Sequence, residues 1–136
     1  MDKNIKSKLS FLNYNVEEVM FKNNNEFKNN GEPINIDFNI KYKTSINDNR
    51  MDVELIVKVF EEMEKNNYPF QIETKVIGKF MIQGEDIKRF EINAIAILYP
   101  YIRAIISTYT ANSNIPTLVL PPINVNKLIE DQEKKD

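Results

Sequence analysis

Four stretches in the first part of the chain alternate apolar and polar side chains with a period of two, which is typical of β-strands with one covered face. They are residues 9–21, 33–44, 52–62 and 70–80. The first of them changes parity midway, and a β-bulge would reconcile its two halves. Short, turn-rich segments join the last three, which predicts antiparallel hairpins between neighbouring strands.

Beyond residue 90 the apolar positions recur every three and four residues, so the sequence predicts a long amphipathic helix over residues 91–111. Pro100 lies inside it, and we expect a kink, a local break or a helix that begins there. Residues 115–124 contain three prolines, which prevent a helix and predict a stiff, extended crossing. A short helix is predicted from residue 125 to about 132, and a charged, flexible tail from about residue 130.

Strands followed by helices is the order of an α+β fold. We expect a four-stranded antiparallel sheet packed on the long helix, with the short C-terminal helix beside it. The 136 residues match one ordinary domain, and 42% hydrophobic with 28% charged residues is a globular balance. The long helix is expected to cover only part of the apolar face of the sheet, so apolar surface should stay open to water.

The composition argues against several classes of function. The chain has 18 basic and 20 acidic residues without a basic block, so no footprint for nucleic acid or an anionic membrane is visible. No apolar run approaches the ~20 residues of a membrane span, and no apolar stretch follows the first six residues as in a signal peptide. With no histidine, no cysteine and three scattered glycines, we expect no cofactor, metal site or phosphate-binding loop. The lack of cysteine fits a cytoplasmic protein.

One part of the long helix carries an apolar run, the tripeptide Tyr-Pro-Tyr at residues 99–101, then Arg103 and another apolar turn. This resembles the long-helix signature of the SecB chaperone family, which continues with a polar stretch and an alternating, proline-flanked leucine segment. The chain matches that continuation in order with Pro116, Leu118, Leu120, Pro122, Ile123 and Asn124, and it matches an upstream Gly-x-Phe step with Gly78 and Phe80. The resemblance covers nearly the whole chain, and residues 98–124 are its specific part.

The resemblance implies a chaperone that holds unfolded preproteins in apolar grooves during protein export and has no catalytic activity. It also implies a homotetramer, built as a dimer of dimers through the long helices. The candidate client-binding residues are Ile36, Phe38, Ile40, Phe60, Phe70, Ile123 and Leu128. Each of these is alternatively an ordinary core residue. The candidate oligomer-interface residues are Tyr101, Ile102, Ile105 and Tyr109.

In the SecB family, acidic residues on the open face of the sheet bind the export motor SecA. Glu18 and Glu73 fall on two such positions and are the candidate SecA-docking residues. Lys22 and Gln71 depart from the family pattern at neighbouring positions, where the family has an acidic and an apolar residue. A reversed charge weakens a small electrostatic patch, so these departures argue against docking. Glu18 and Glu73 are alternatively part of an ordinary solvated face.

Three alternatives stay open at this point. Some SecB-like proteins serve an antitoxin in a toxin–antitoxin–chaperone system, so the client is either unfolded preproteins or an antitoxin. A second alternative is an adaptor that kept the SecB fold without general client binding. The last alternative is an enzyme that uses Glu61, Glu62 and Glu64 as a metal or acid–base cluster, although neighbouring carboxylates at a turn are usually surface charges.

Overall fold

The computed structural model describes residues 7–113 and 115–135, and it confirms the predicted α+β fold. The expectation about a signal peptide falls on residues 1–6, which lie outside the described residues, as do Asn114 and Asp136. The elements are β1 (Lys8–Asn23), β2 (Phe38–Asn47), β3 (Arg50–Val59), β4 (Phe70–Gln83), α1 (Ile87–Ala111) and α2 (Val125–Lys135). The strand predicted from residue 33 begins five residues later, and the strand predicted to residue 62 ends at Val59.

The four strands form one antiparallel sheet in the order β1-β4-β3-β2. The predicted hairpins join β2 to β3 and β3 to β4, whereas β1 crosses over to pair with β4. The strands β3 and β4 are therefore central, and β1 and β2 are the two edges. The long helix α1 lies over β4, β1 and β3 and leaves β2 at the margin of its cover.

The predicted bulge in β1 is present, and a second one accompanies it. The pairing of β1 with β4 shifts register between Phe11 and Asn13 and again between Val16 and Glu18. Each shift inserts one extra residue, so the apolar side chains before and after it point to the same face of the sheet. Apolar residues of both parities thereby face α1 along the whole strand.

The core fills the space between the central strands and α1. The alternate residues Met51, Val53, Leu55, Val57 and Val59 of β3 are fully buried. Gly78 of β4 lies directly under the helix, because an added Cβ would come within 2.6 Å of a Leu98 methyl carbon. The glycine that contributed to the family resemblance is therefore explained by a close approach of α1 to the sheet.

The helix α1 begins four residues earlier than predicted. The side chain of Asp86 accepts a hydrogen bond from the Arg89 backbone N–H and caps the first turn. Pro100 neither breaks the helix nor begins it, because α1 runs through this residue from Ile87 to Ala111. Pro100 and Ala96 are both exposed, so water can solvate the Ala96 carbonyl that the proline leaves without its helical partner.

By length and composition, α1 is long and apolar enough to cross a membrane, with a mean hydropathy of 1.2 over its most apolar window. The expectation that no apolar segment approaches the length of a membrane span is therefore wrong. A few polar residues interrupt the apolar run, but they do not lower the mean hydropathy of the helix below that of a possible span. One such helix is weak evidence for a span, since the core helix of a soluble protein passes the same test. Here α1 packs its buried side chains against the sheet.

The C-terminal helix extends beyond its predicted end. α2 continues to Lys135, so the segment predicted as a flexible, charged tail is helical as far as that residue. Asn124 caps the N-terminus, because its side-chain oxygen accepts a hydrogen bond from the Lys127 backbone N–H at 3.0 Å. Ile129 anchors α2 in the core at 1% exposure, while the charged residues on its other side remain exposed.

Candidate polypeptide-binding cleft

A cleft runs between the edge strand β2 and the helix α2. We define it by its lining residues, which are Phe38, Asn39, Ile40, Lys41, Tyr42, Ile123, Asn124, Lys127, Leu128, Asp131 and Gln132. Its larger part has a volume of about 670 Å³ and its smaller part about 240 Å³. Four of the predicted client-binding residues, namely Phe38, Ile40, Ile123 and Leu128, line it and are half-buried. The structure therefore brings these four together at an open surface.

The position of β2 explains why its apolar side chains remain partly open. Phe38 and Ile40 point to the same side of the sheet as the fully buried Val57 and Val59, with which they pair. Because α1 lies mainly over the other three strands, these two side chains border the cleft together with residues of α2 and of the segment before it. The alternation in β2 thus produces an apolar surface that the fold covers incompletely.

The connector, residues 115–124, is held against α1 by four side chains on one stripe of the helix. Two of these side chains bond to the end of the connector nearer α2: the Tyr99 hydroxyl donates to the Pro121 carbonyl at 2.7 Å, and Arg103 Nε donates to the Leu120 carbonyl at 3.0 Å. The other two bond to the backbone of Leu118: Ser107 Oγ donates to its carbonyl at 2.9 Å, and Thr110 Oγ1 accepts from its N–H at 2.8 Å. The connector carries Ile123 to the cleft, so this stripe fixes one wall of it.

Tyr99 and Thr110 are the most buried members of this stripe. Burial raises the pKa of the Tyr99 hydroxyl above its ordinary value, with an opposing contribution from the charge of Arg103. The hydroxyl therefore stays protonated and able to donate its hydrogen bond throughout the physiological range. Arg103, which belongs to the family signature, satisfies a backbone carbonyl of the connector.

The helix α2 forms the opposite wall and is attached in three different ways. Ile129 packs in the core, Lys88 Nζ pairs with Glu133 at 3.0 Å, and the carboxamide of Gln132 bonds to the backbone of Tyr42. The ion pair raises the pKa of Lys88, first through its hydrogen bond and then through the charge of Glu133. Both of its side chains are exposed, so this pair adds little to the attachment.

Two of the predicted client-binding residues lie in the core and need a correction. Phe60 and Phe70 are each 4% exposed, and their rings meet edge to face with centroids 5.2 Å apart. Phe60 follows β3 with a φ of +59°, and this left-handed backbone turns its side chain from the polar face of the strand into the core. Neither side chain offers a surface to a client in this structure, so we remove both from the candidate site.

Ile36 lies outside the cleft, in the segment that leads into β2, and is 38% exposed. Its neighbour Asp37 fixes this segment, since the Asp37 carbonyl accepts from the Phe60 N–H at 2.8 Å and its carboxylate accepts from the Tyr68 hydroxyl at 2.9 Å. The hydrogen bond to Asp37 raises the pKa of Tyr68. The segment holds Ile36 one alternation beyond Phe38, where it would extend the apolar wall.

The open face of the sheet carries the two candidate SecA-docking residues on adjacent strands. Glu18 of β1 lies opposite Lys75 of β4, and Glu73 of β4 lies opposite Lys58 of β3, with 3.9 Å between the charged atoms of the second pair. Each acid therefore has a lysine directly across the ladder, which offsets much of its negative potential.

The two departures from the family's docking pattern lie on the same open face. Lys22 and Gln71 are cross-strand partners beside Glu73. Lys22 Nζ also approaches Glu64, which lies outside the sheet, at 3.7 Å, and both side chains are exposed. The patch around Glu18 and Glu73 is thus a mixture of charges in this chain.

The candidate oligomer-interface residues divide into an outer and an inner set. Tyr101 and Tyr109 are exposed on α1, and Ile105 is half-buried. Ile102 is fully buried within the chain, so we remove it from the predicted interface. Tyr101 stacks on Tyr14 with ring centroids 4.2 Å apart, which joins the outer side of α1 to the edge strand β1.

The exposure of apolar side chains at the β1 edge was not predicted from the sequence. Phe11, Leu12 and Val16 are 36%, 48% and 45% exposed. Phe11 lies 6.1 Å from Tyr101 by ring centroids, so this edge continues the exposed surface of α1. The change of parity in this segment predicted the bulge, but it did not show that α1 leaves this edge partly uncovered.

The carboxylates of the enzyme alternative are dispersed among separate lysines. Glu61 approaches Lys58, Glu62 approaches Lys65, and Glu64 approaches Lys22, with nitrogen–oxygen distances of 3.7–3.9 Å. Asn39 also donates to Glu61. Within residues 7–113 and 115–135, no group of three acidic side chains is arranged to hold a metal ion.

Comparisons with known proteins agree with the resemblance found in the sequence. The family described as preprotein translocase subunit SecB matches residues 3–136. A protein of Methanocaldococcus jannaschii, described as uncharacterized protein MJ0357, is 36% identical over 136 residues, covering 95% of this chain and 87% of its own.

Two solved structures share the fold. One is the SecB-like chaperone Rv1957 of Mycobacterium tuberculosis, in complex with a ChAD peptide from the antitoxin HigA1, with a TM-score of 0.66 and 13% identity over 85% of this chain and 88% of that one. The other is a Streptococcus agalactiae protein of unknown function, with a TM-score of 0.55 and 15% identity over 86% of this chain and 99% of that one. At these identities the likeness shows the fold.

Proposed function

Because the chain belongs to the SecB family, we propose that it is a holdase, which binds unfolded polypeptides in the cleft between β2 and α2 without catalysing a reaction. The observation that supports this most directly is the convergence of Phe38, Ile40, Ile123 and Leu128 on one open surface. Apolar burial has no fixed direction, so such a surface accepts clients of many sequences.

The size of the cleft is suited to transient holding. At about 25 cal/mol per Å², a few hundred Å² of buried apolar surface contributes several kcal/mol before ordering costs. Ordering the client offsets much of that amount, so one cleft binds weakly. A client that engages several clefts of an oligomer gains affinity through multivalency. We therefore include a homotetramer in the proposal, with Tyr101, Ile105 and Tyr109 as its interface residues.

The client class has two candidates. Unfolded preproteins fit a general holdase that works in the cytoplasm before export, and we place this chain there. An antitoxin fits a dedicated chaperone, and the Mycobacterium tuberculosis structure that shares the fold supports this alternative through its bound antitoxin peptide. Affinity for several unrelated denatured proteins separates the two, since a general holdase binds them within about tenfold of one another and a dedicated chaperone binds none of them well.

Docking to SecA is the least supported part of the family's function in this chain. Glu18 and Glu73 each face a lysine across the ladder, and Lys22 adds a further positive charge beside them. A surface with this mixture of charges lacks the net negative potential of an acidic docking patch. We infer that the chain delivers its clients without a SecA contact centred on these two glutamates.

Suppression of aggregation tests the proposed function. The oligomer is mixed with a chemically denatured protein that aggregates on dilution, and light scattering is followed over time. Leu128→Asp places a charge in the cleft and should lose most of the suppression, while Ile77→Asp places the same charge on the open face and should keep it. No suppression by the parent chain would reject the holdase, and equal loss in both variants would reject the cleft as its site.

A further inference from the structure

The outer edge of β2 is contacted by a side chain that imitates a neighbouring strand. Gln132 Oε1 accepts a hydrogen bond from the Tyr42 N–H at 3.1 Å, and Gln132 Nε2 donates to the Tyr42 carbonyl at 2.8 Å. These two backbone groups point away from β3, because β2 is an edge strand and Tyr42 is in a non-hydrogen-bonded pair with Leu55. An added strand would form the same two bonds.

The edge extends on both sides of this contact. In a strand, the backbone groups of every second residue point to the same side. The residues that share the parity of Tyr42 are Phe38, Ile40, Thr44 and Ile46. The apolar side chains of Phe38 and Ile40 line the cleft directly beside this edge. Main-chain pairing and apolar contact are therefore available along the same line.

We propose that the outer edge of β2 is a strand-pairing surface for an extended polypeptide segment, and that Gln132 occupies its centre in the unloaded chain. This inference rests on the proposed holdase function and gives it a mode of binding. A segment with alternating side chains would place its apolar residues towards Ile40 and Leu128 and its other residues on the open-face side of β2.

The charges of β2 select the occupant. Lys41 and Lys43 lie on the open-face side of this strand and are exposed. Two copies of β2 paired edge to edge around Tyr42 would bring Lys41 of one copy opposite Lys43 of the other, and like charges directly opposite are unfavourable. Lysines on an edge strand oppose such self-association. Lys43 already faces Glu54 of β3 across the ladder, whereas Lys41 faces the apolar Ile56. A client segment with acidic residues at alternate positions would meet the complementary charge of Lys41, so this class of segment is the favoured occupant.

The contact is suited to displacement. Gln132 is half-buried and its side chain can rotate away while Ile129 keeps α2 anchored in the core. The hydrogen bonds that Gln132 gives up can be replaced by water, and a client main chain re-forms those of Tyr42. The exchange therefore leaves no buried backbone group without a partner.

Binding of a labelled peptide tests the inference. The probe is a fluorescein-labelled nonapeptide of alternating valine and glutamate, and its twin carries N-methyl groups on alternate residues, which remove the donors of one edge. The intact oligomer is compared with Gln132→Ala, and with Lys134→Ala as an exposed control on the same helix. We expect Gln132→Ala to bind the probe about three- to tenfold more tightly, the control to match the parent, and the methylated twin to show no gain.

Hydrogen exchange at the Tyr42 amide provides a second measurement that does not depend on affinity. The amide should be protected in the parent, exchange faster in Gln132→Ala, and regain protection when the peptide is bound. An equal gain with the methylated twin, or a Tyr42 amide that stays fast with peptide bound, would overturn strand pairing. Self-association of Gln132→Ala that excludes the peptide would overturn the assignment of a client as occupant.

The proposed function and this inference fail in different ways. A parent chain that binds denatured protein, while Gln132→Ala leaves the affinity for the nonapeptide unchanged, would reject strand pairing and retain the holdase. A parent chain that binds neither denatured protein nor nonapeptide would reject both.

Discussion

The core under α1 and the cleft between β2 and α2 are built from the same kinds of side chain, but they differ in how completely the chain covers them. Phe80, Leu98 and Ile102 are fully buried between the sheet and the long helix. Phe38 and Ile40 continue the same apolar face onto the edge strand, where they stay half-buried. The difference divides one sheet face into two parts: its centre is sealed by α1, and its margin stays partly open to water.

The largest effect is expected for truncation in the core. Phe80→Ala removes a fully buried ring and should lower the free energy of unfolding by about 3–5 kcal/mol, because a cavity remains under α1. Phe11, whose ring lies 5.4 Å from that of Phe80 but is exposed at the edge, is the matched control. Urea unfolding followed by circular dichroism measures both variants. An equal loss for Phe11→Ala would contradict the division between centre and margin.

Replacement of threonine by valine is expected to lower the free energy of unfolding at one buried threonine and to keep or raise it at another. Thr110 Oγ1 accepts from the Leu118 N–H, so Thr110→Val leaves that donor unpaired and should cost about 1–3 kcal/mol. Thr74 Oγ1 is buried in the sheet face and has no hydrogen-bond partner within residues 7–113 and 115–135, so Thr74→Val should be neutral or stabilise by up to about 1 kcal/mol. Thermal unfolding of both variants decides this, and destabilisation by Thr74→Val would show that its hydroxyl has a partner.

In the cleft, substitution should change binding more than stability. Phe38→Asp is expected to weaken the binding of an unfolded client about tenfold, equivalent to about 1.4 kcal/mol, because it charges the wall of the cleft. Ile77→Asp places the same charge on the open face of the central strand β4, away from β2, and should leave the affinity unchanged. Fluorescence anisotropy with a labelled, denatured protein provides the measurement. Phe70→Asp should instead unfold the chain, since its ring lies in the core.

The smallest effect is expected on the charged, open face. Lys58 approaches Glu61 and Glu73 at 3.9 Å, and its side chain is about a third exposed. Lys58→Met should therefore lower the free energy of unfolding by less than about 1 kcal/mol. Urea unfolding at low and high salt should show the difference shrinking as salt screens the pairs. A loss as large as that of Phe80→Ala would show that this face also holds the fold.

The periodicity of the sequence predicted the elements, and together with the family resemblance it predicted four members of the cleft. Phe38 and Ile40 follow the alternation of β2, while Ile123 and Leu128 follow from the family resemblance. Phe60 was misplaced because a positive φ after β3 reverses the direction of its side chain, and no alternation rule contains that information. Gln132 was missed because its contact with Tyr42 joins residues 90 positions apart, on elements whose relative placement depends on the whole fold.

The oligomer-interface prediction shows the same limit. The helical period places Ile102 on the same broad apolar stripe as Tyr109, but it does not say which part of that stripe the sheet covers. The sheet covers Ile102 completely and leaves Tyr109 exposed. A helix that is apolar around much of its circumference therefore needs the tertiary structure to separate core from interface.

Photo-crosslinking of an unfolded client tests the central claim most directly. A photoreactive amino acid is placed at Lys127, on the rim of the cleft, or at Lys79, on the open face of the central strand β4, and each variant is irradiated with a labelled, denatured protein. The account predicts strong crosslinking from position 127 and little from position 79. Crosslinking from position 79 that equals or exceeds that from position 127 would contradict it.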